Sequence, residues 1–416
     1  MGERRIAVNA RRMLADLDAL DRIGRTEAGL LFRVAWSPAY REGLEWLHER
    51  FTDAGLVTTE DAATNIWGRW QTGNGPALLL GSHIDAVPNG GKFDGACGVL
   101  AALEVTRTLR EAGITPPFPL SVVAWADEEG AHFGTGFFGS MAFVGTPIVD
   151  DYVTIAGPSA REILTAAGGK LDDLGSVAAQ RADVGAYLEM HIEQGPRLEA
   201  AGGELAVVTG ICGIERHEWQ IEGHPSHAGS TPFPMRRDAG MAMARAIATQ
   251  RDVARETGPE VVATVGRLRV TPDVPNIVPG TATFSAEFRD INPAILQAAQ
   301  TEYTRRVHAI CAEEHVTASS RPLLITPPTP MHPAMMETIA AACGDIGVMP
   351  MRFPSGPGHD AGILAPYLPT GMLFVPSVNG ISHAPDEFTD AASLERGANA
   401  LLHAVLRLIE RGLPAT

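Results

Sequence analysis

Four short apolar runs are spread along the chain, and each leads into residues capable of chemistry. Ala77-Leu78-Leu79-Leu80 enters Gly81-Ser82-His83-Ile84-Asp85, and Leu120-Ser121-Val122-Val123-Ala124-Trp125 enters Asp127-Glu128-Glu129-Gly130. Tyr187-Leu188-Glu189-Met190 enters His191-Ile192-Glu193-Gln194-Gly195, and Met372-Leu373-Phe374-Val375 reaches Ser382-His383 through a short loop. Runs without polar alternation predict strands buried on both faces, as in parallel sheets. Helical spacing falls between them. Leu44, Leu47 and Phe51 lie on one face of a segment over 40–55 stopped by Gly55, and Val99 to Leu109 predicts a second helix ending near Gly113. Strands alternating with helices predict an α/β domain.

The pattern changes near Gly210. Glu215 to Glu222 mixes polar and apolar residues as a one-sided strand does. A long helix is predicted over 236–256 with Met241, Ala244 and Ile247 on one face. Strands follow over 261–270 and 281–289, then a helix over 293–314. Met235, Met241 and Met243 are read as helix packing. Pro327-Pro328-Thr329-Pro330 predicts a linker. Beyond it, a helix over 333–346 and the strand before His383 return to the first pattern. The expectation is a discontinuous α/β domain, 1–210 and 327–416, interrupted by a smaller α+β insertion, 211–326.

Each predicted strand of the first domain ends near a metal-competent side chain, and ligands in open α/β sheets bind at the carboxyl ends of the strands. His83 and Asp85, followed by Asp94 in Gly90-Gly91-Lys92-Phe93-Asp94-Gly95, offer imidazole and carboxylate donors for a divalent metal. His83 alone is better read as a satisfied core histidine. The set with Glu129, His191 and His383 is not. Glu128 and Glu129 can divide the work, one holding metal and the other taking a proton from water.

Composition removes other classes. The 416 residues carry a formal charge of −16, which argues against nucleic acid or an anionic membrane as partner but leaves room for a small anionic substrate. No 18-residue apolar run appears. Met1-Gly2-Glu3-Arg4-Arg5 has positive charge without an apolar segment behind it, so no secretory signal is expected. Cys97, Cys212, Cys311 and Cys343 are scattered, as expected of reduced thiols in a cytoplasmic protein. There is no G-x-S-x-G elbow, no H-E-x-x-H and no phosphate-binding P-loop.

Further motifs are Pro225-Ser226-His227-Ala228-Gly229, Asn276-Ile277-Val278-Pro279-Gly280, Gly358-His359-Asp360-Ala361 and Gly380-Ile381-Ser382-His383. With those above, they resemble the hydantoinase/carbamoylase-type dinuclear-metal amidohydrolases over almost the whole chain. That family is related to zinc aminopeptidases and carboxypeptidases, and includes N-carbamoyl-L-amino-acid hydrolases, allantoate amidohydrolases and β-ureidopropionases.

The resemblance implies a zinc-exopeptidase-like catalytic domain with a mixed central sheet, and an inserted dimerisation and lid domain. It implies two divalent metal ions per chain, zinc or manganese, with cobalt or nickel as further options. His83, Asp94 and His191 would hold one, and Asp94, Glu129 and His383 the other, with Asp94 bridging. Asp85 would orient His83, and Glu128 would be the general base. Asn276 and Arg289 would grip a substrate carboxylate, Gly358 would contact substrate, and Gln194 and His227 would meet the carbamoyl or ureido end. His227 would come from the neighbouring subunit of a homodimer. His359 and Asp360 are read as shaping the site.

Ala384 departs from the asparagine the family commonly has after the ligand histidine; a tuning effect is expected there. Without the resemblance, Arg289 reads as a partner of Asp290, Asn276 as a turn residue, and His224 and His227 as loop residues. The implied reaction is hydrolysis of the carbamoyl C–N bond of an N-carbamoyl-L-amino acid. Allantoate is the nearest alternative, then ureidoglycolate or β-ureidopropionate. A catalytically silent binding relative is the alternative from another class.

Overall fold

The computed structural model describes residues 6–146 and 157–415, and the Met1–Arg5 stretch lies outside them. The chain forms two compact units, one of Met1–Thr209 with Pro330–Thr416, the other of Gly210–Thr329.

The first unit is built on a nine-stranded mixed sheet. Its centre is four parallel strands in the order Leu120–Trp125, Ala77–His83, Val184–Ile192, Thr370–Val375. Every residue of the first, second and fourth is buried, the outcome that helices on both faces of a sheet impose. The register aligns their carboxyl ends, with His83 opposite Trp125 and His191 opposite Phe374. His191 therefore lies inside its strand, one residue before the end. Antiparallel strands flank this core: Ile66–Trp70 and Val57–Glu60 on one side, Ala206–Ile211 on the other.

The helix Ala96–Glu111, with Gly95 as its N-cap, begins three residues before the apolar periodicity suggests and is almost wholly buried. It shares one apolar core with the helices Pro333–Asp345 and Ala391–Arg411. Asp390 caps the last of these by accepting from Ser393 N–H at 2.9 Å.

The second unit is an antiparallel sheet in the order Leu268–Thr271, Thr281–Asp290, Gly213–Glu222, Thr317–Thr326, with Val262–Thr264 also paired to Thr281–Asp290. The helices Ala239–Thr257 and Pro293–Glu313 share a core with Trp219, Ile221, Phe284 and Phe288. Two expectations are corrected here. The predicted helix over 236–256 begins only at Ala239, after Asp238 caps Met241 N–H. Its buried face is Ala242, Met243, Ala246 and Val253, whereas Met241 is exposed and Met235, also exposed, lies before the helix. That buried face packs with Trp219, Ile221, Phe284 and Phe288 in one core. A two-stranded ribbon pairs Ser226–His227 with Ile277–Val278. Among the described residues no helix is long and apolar enough to cross a membrane.

Candidate metal centre

The carboxyl ends of the four parallel strands, which carry His83 and His191, and the loops after them bring His83, Asp94, Glu128, Glu129, His191 and His383 together. Among the described residues three sets have possible ligand atoms within 4.8 Å of one another: His83, Asp94, His191; Asp94, Glu129, His383; and, behind the first, Glu189, His191, His359. Asp94 is common to the first two. Its Oδ1 lies 3.1 Å from His191 Nε2 and 3.6 Å from His83 Nε2, and its Oδ2 lies 3.1 Å from His383 Nε2. Glu129 Oε2 is 3.2 Å from His383 Nε2. Glu128 Oε2 is 3.6 Å from His83 Nε2.

The donor set fits divalent cations. His83 Nδ1 faces the Asp85 carbonyl at 3.1 Å and His191 Nδ1 the Ile192 carbonyl at 2.9 Å, so each Nδ1 donates. That tautomer leaves a lone pair on Nε2, the atom turned toward Asp94. For His191 the same follows from Gly95 N–H, which donates to Nε2 at 3.2 Å. Asp94, Glu128 and Glu129 are buried or nearly so; the cationic partners beside them are imidazoles, Asp94 accepts further from the neutral Gln194 and Ser382 side chains, and Glu129 Oε1 is buried without a hydrogen-bond partner. Uncompensated buried charge costs several kcal/mol per ion, which bound cations would offset.

Without a cation, protons do that work. Burial pushes the Glu128 carboxyl well above the usual range and Glu129 up to about 7, where repulsion from Asp94 adds to burial. Asp94 is pushed up by burial, but hydrogen bonds from His191, His383 and His83 outweigh this and hold it well below its ordinary value. The bond to Asp94 raises His383 to about 9.

Backbone geometry fixes these side chains. Asp127, Gln194 and His383 all sit at positive φ, between 53° and 56°. Such angles are uncommon for residues other than glycine, and clusters of them mark functional loops. Asp85 receives Glu128 N–H at 3.4 Å on Oδ1 and Glu129 N–H at 3.2 Å on Oδ2, and its Oδ1 is 3.5 Å from His83 Nδ1. It therefore ties the His83 strand end to the glutamate turn. Gln194 Nε2 donates to Asp94 Oδ2 at 2.8 Å. The His359 ring meets the His191 ring edge-on at 4.5 Å, and Asp360 Oδ1 accepts from Ser140 Oγ at 2.6 Å.

Two supporting carboxylates escaped the sequence reading. Glu387 accepts from the N–H groups of Phe93 and Asp94 at 3.0 and 3.1 Å, and from Ser382 Oγ at 2.7 Å. In sequence Asp386-Glu387 looks like a solvated loop. Glu189 is buried two residues before His191 and takes Ser82 Oγ at 2.8 Å and Ala361 N–H at 3.0 Å. The even spacing to His191 on one strand was its only sequence signal.

In the second unit, Ile277 pairs with His227, and Ala228 N–H donates to the Asn276 carbonyl at 3.0 Å, so Asn276 and His227 lie side by side. Exposed His227 accepts Gly229 N–H on Nδ1 at 3.1 Å, which leaves Nε2–H as the donor of its neutral ring. Arg289 lies on the same strand as Glu287. Its Nε lies 2.6 Å from Glu287 Oε1, while Asp290 Oδ1 accepts Asn292 N–H.

Residues 79–407 match the model of peptidase family M20/M25/M40. The N-carbamoyl-L-amino acid amidohydrolase of Geobacillus stearothermophilus is 36% identical, over 97% of this chain and 99% of that protein. The allantoate amidohydrolase of Escherichia coli (strain K12) is 34% identical, over 92% and 94%. A solved hydantoinase/carbamoylase family amidase from Burkholderia ambifaria superposes with a TM-score of 0.88 at 34% identity, covering 99% of both chains.

Proposed function

The chain belongs to peptidase family M20/M25/M40 and is an amidohydrolase acting on non-peptide C–N bonds, and from that premise we propose that its substrate is an N-carbamoyl-L-amino acid. The observation that carries this is the division between adjacent glutamates. Glu129 turns to His383 within one candidate metal set, and buried Glu128 stands beside His83 outside all of them. We assign His83, Asp94 and His191 to one divalent cation and Asp94, Glu129 and His383 to a second. Bound there, the cations supply Lewis acidity to the substrate carbonyl and to the attacking water.

The protein's own groups do the rest. Glu128, its proton affinity raised by burial, accepts a proton as water adds to the carbamoyl carbon, and returns it to the departing α-nitrogen. The C–N bond breaks, freeing the amino acid and carbamic acid, which falls to ammonia and carbon dioxide. His227 Nε2–H suits a developing oxyanion. The Arg289 fork suits a free carboxylate, and Asn276, beside His227, supplies amide donors to it. The inserted unit carries the dimer contacts, and the protein works in the cytoplasm. Allantoate is the second reading, favoured by an identity to the Escherichia coli enzyme close to that of the carbamoylase relative.

Ammonia release from N-carbamoyl-L-methionine, allantoate and N-carbamoyl-β-alanine decides between them. Chelator should abolish it and divalent metal restore it. Turnover of allantoate alone would reject the carbamoylase reading.

A further inference from the structure

After Glu129 the chain loops out and returns alongside its own start. Phe137 N–H donates to the Glu128 carbonyl at 3.0 Å, Phe138 N–H to Asp127 at 3.2 Å, and Gly139 N–H to Ala126 at 2.8 Å. The backbone of Phe137 is thus fastened to the proposed base. Its φ is +69°, a left-handed conformation unfavourable for a bulky residue and kept only where the surroundings demand it. Core packing does not demand it. The neighbouring Phe138 fills that role, buried and edge-on to Trp36 at 5.2 Å, whereas Phe137 is only half-buried. The Phe137 ring reaches instead to Gly358, where a Cβ would stand 2.6 Å from its Cζ. Gly358 precedes His359, whose ring rests on His191. The ring therefore spans from the Glu128 turn to the His359 loop, in space that a side chain at position 358 would take.

We infer that Phe137 is a specificity-determining residue: its ring is the apolar wall for the substrate's α side chain, and the site prefers N-carbamoyl amino acids with apolar side chains. This rests on the carbamoylase reading. An aromatic face offers no partner to a second ureido group, which would lose its hydrogen bonds to water there. An apolar chain gains from the same contact.

The test is kcat/KM for N-carbamoyl-L-methionine, N-carbamoyl-L-phenylalanine and N-carbamoylglycine in wild type, Phe137→Ala and Phe137→Leu. In Phe137→Ala the two apolar substrates should fall about tenfold or more relative to the glycine derivative, the range set by a lost apolar pocket contact. Metal content should not change. Phe137→Leu should retain most of the preference, and it decides the matter should Phe137→Ala fail to fold. An equal fall for all three substrates would mean the ring only supports the loop, and would overturn the inference. If the wild type hydrolyses none of the three, the carbamoylase reading itself fails, and the inference with it; an active wild type with an unchanged ratio condemns the inference alone.

Discussion

Replacing Gly95 by alanine separates the geometry of the metal centre from its chemistry, because Gly95 is no ligand. It has φ +61° and caps the helix Ala96–Glu111, directly after Asp94. A Cβ there would press on Cδ2 and Nε2 of His83 and lie 2.5 Å from Cε1, against the 3.4 Å where ordinary contact begins. The ring must therefore retreat by about 1 Å. Metal–ligand distances tolerate about ±0.2 Å, and a misplacement of about 1 Å can cost on the order of 10²-fold in turnover. His83 is 1% exposed and its Nδ1 is held by the Asp85 carbonyl, so the ring cannot swing clear without giving up that bond. With φ +61° and ψ −51° the backbone lies outside the left-handed helical well, so any L-residue there costs on the order of 1–3 kcal/mol. Gly95→Ala should fold with a modestly lowered Tm, lose metal from the His83 set, and lose about a hundredfold in kcat. Metal content by elemental analysis, a thermal melt and ammonia-release kinetics measure the three. Wild-type metal content together with wild-type kcat would refute the reasoning, since it would mean that His83 moves freely or binds nothing.

The remaining expectations concern single groups. Glu128→Gln should keep its metal and lose on the order of 10²–10⁴-fold in kcat, while Glu129→Gln should lose metal; reversed behaviour in elemental analysis and kinetics would reverse the two roles. Arg289→Lys should weaken turnover of free acids more than of their amides, because a point charge cannot replace the planar fork, and an unchanged acid-to-amide ratio counts against a carboxylate grip. His227→Ala mixed with Glu128→Gln should regain roughly a quarter of wild-type activity, since about half of randomly assembled two-fold dimers are mixed and each has one intact site. No recovery despite demonstrated subunit exchange would return His227 to its own chain's site or remove it from catalysis.

Much of the catalytic unit can be read directly from the chain, because parallel strands buried on both faces leave an apolar signature that surface positions cannot imitate. The runs at 77–80, 120–125 and 372–375 each mark a central strand, and the turn residues after them bear the polar groups. The insertion was less legible. In a sheet covered on one face, polar and apolar residues mix, and the buried side of Ala239–Thr257 runs through Ala242, Met243, Ala246 and Val253 and leaves Met241 exposed, a choice between two apolar faces that packing against the sheet makes. Sequence thus determined the order of chemistry along the chain: histidine, carboxylate pair, histidine, histidine, each in or after an apolar run. Tertiary structure alone decided the contacts. The parallel register aligned the strand ends at His83 and His191, and the loop bearing Glu387 closed on the turn of Asp94 across nearly 300 residues. Hydrogen bonding and burial depend on distance in space, and spacing along a chain does not encode which loops will meet until the sheet has set their positions.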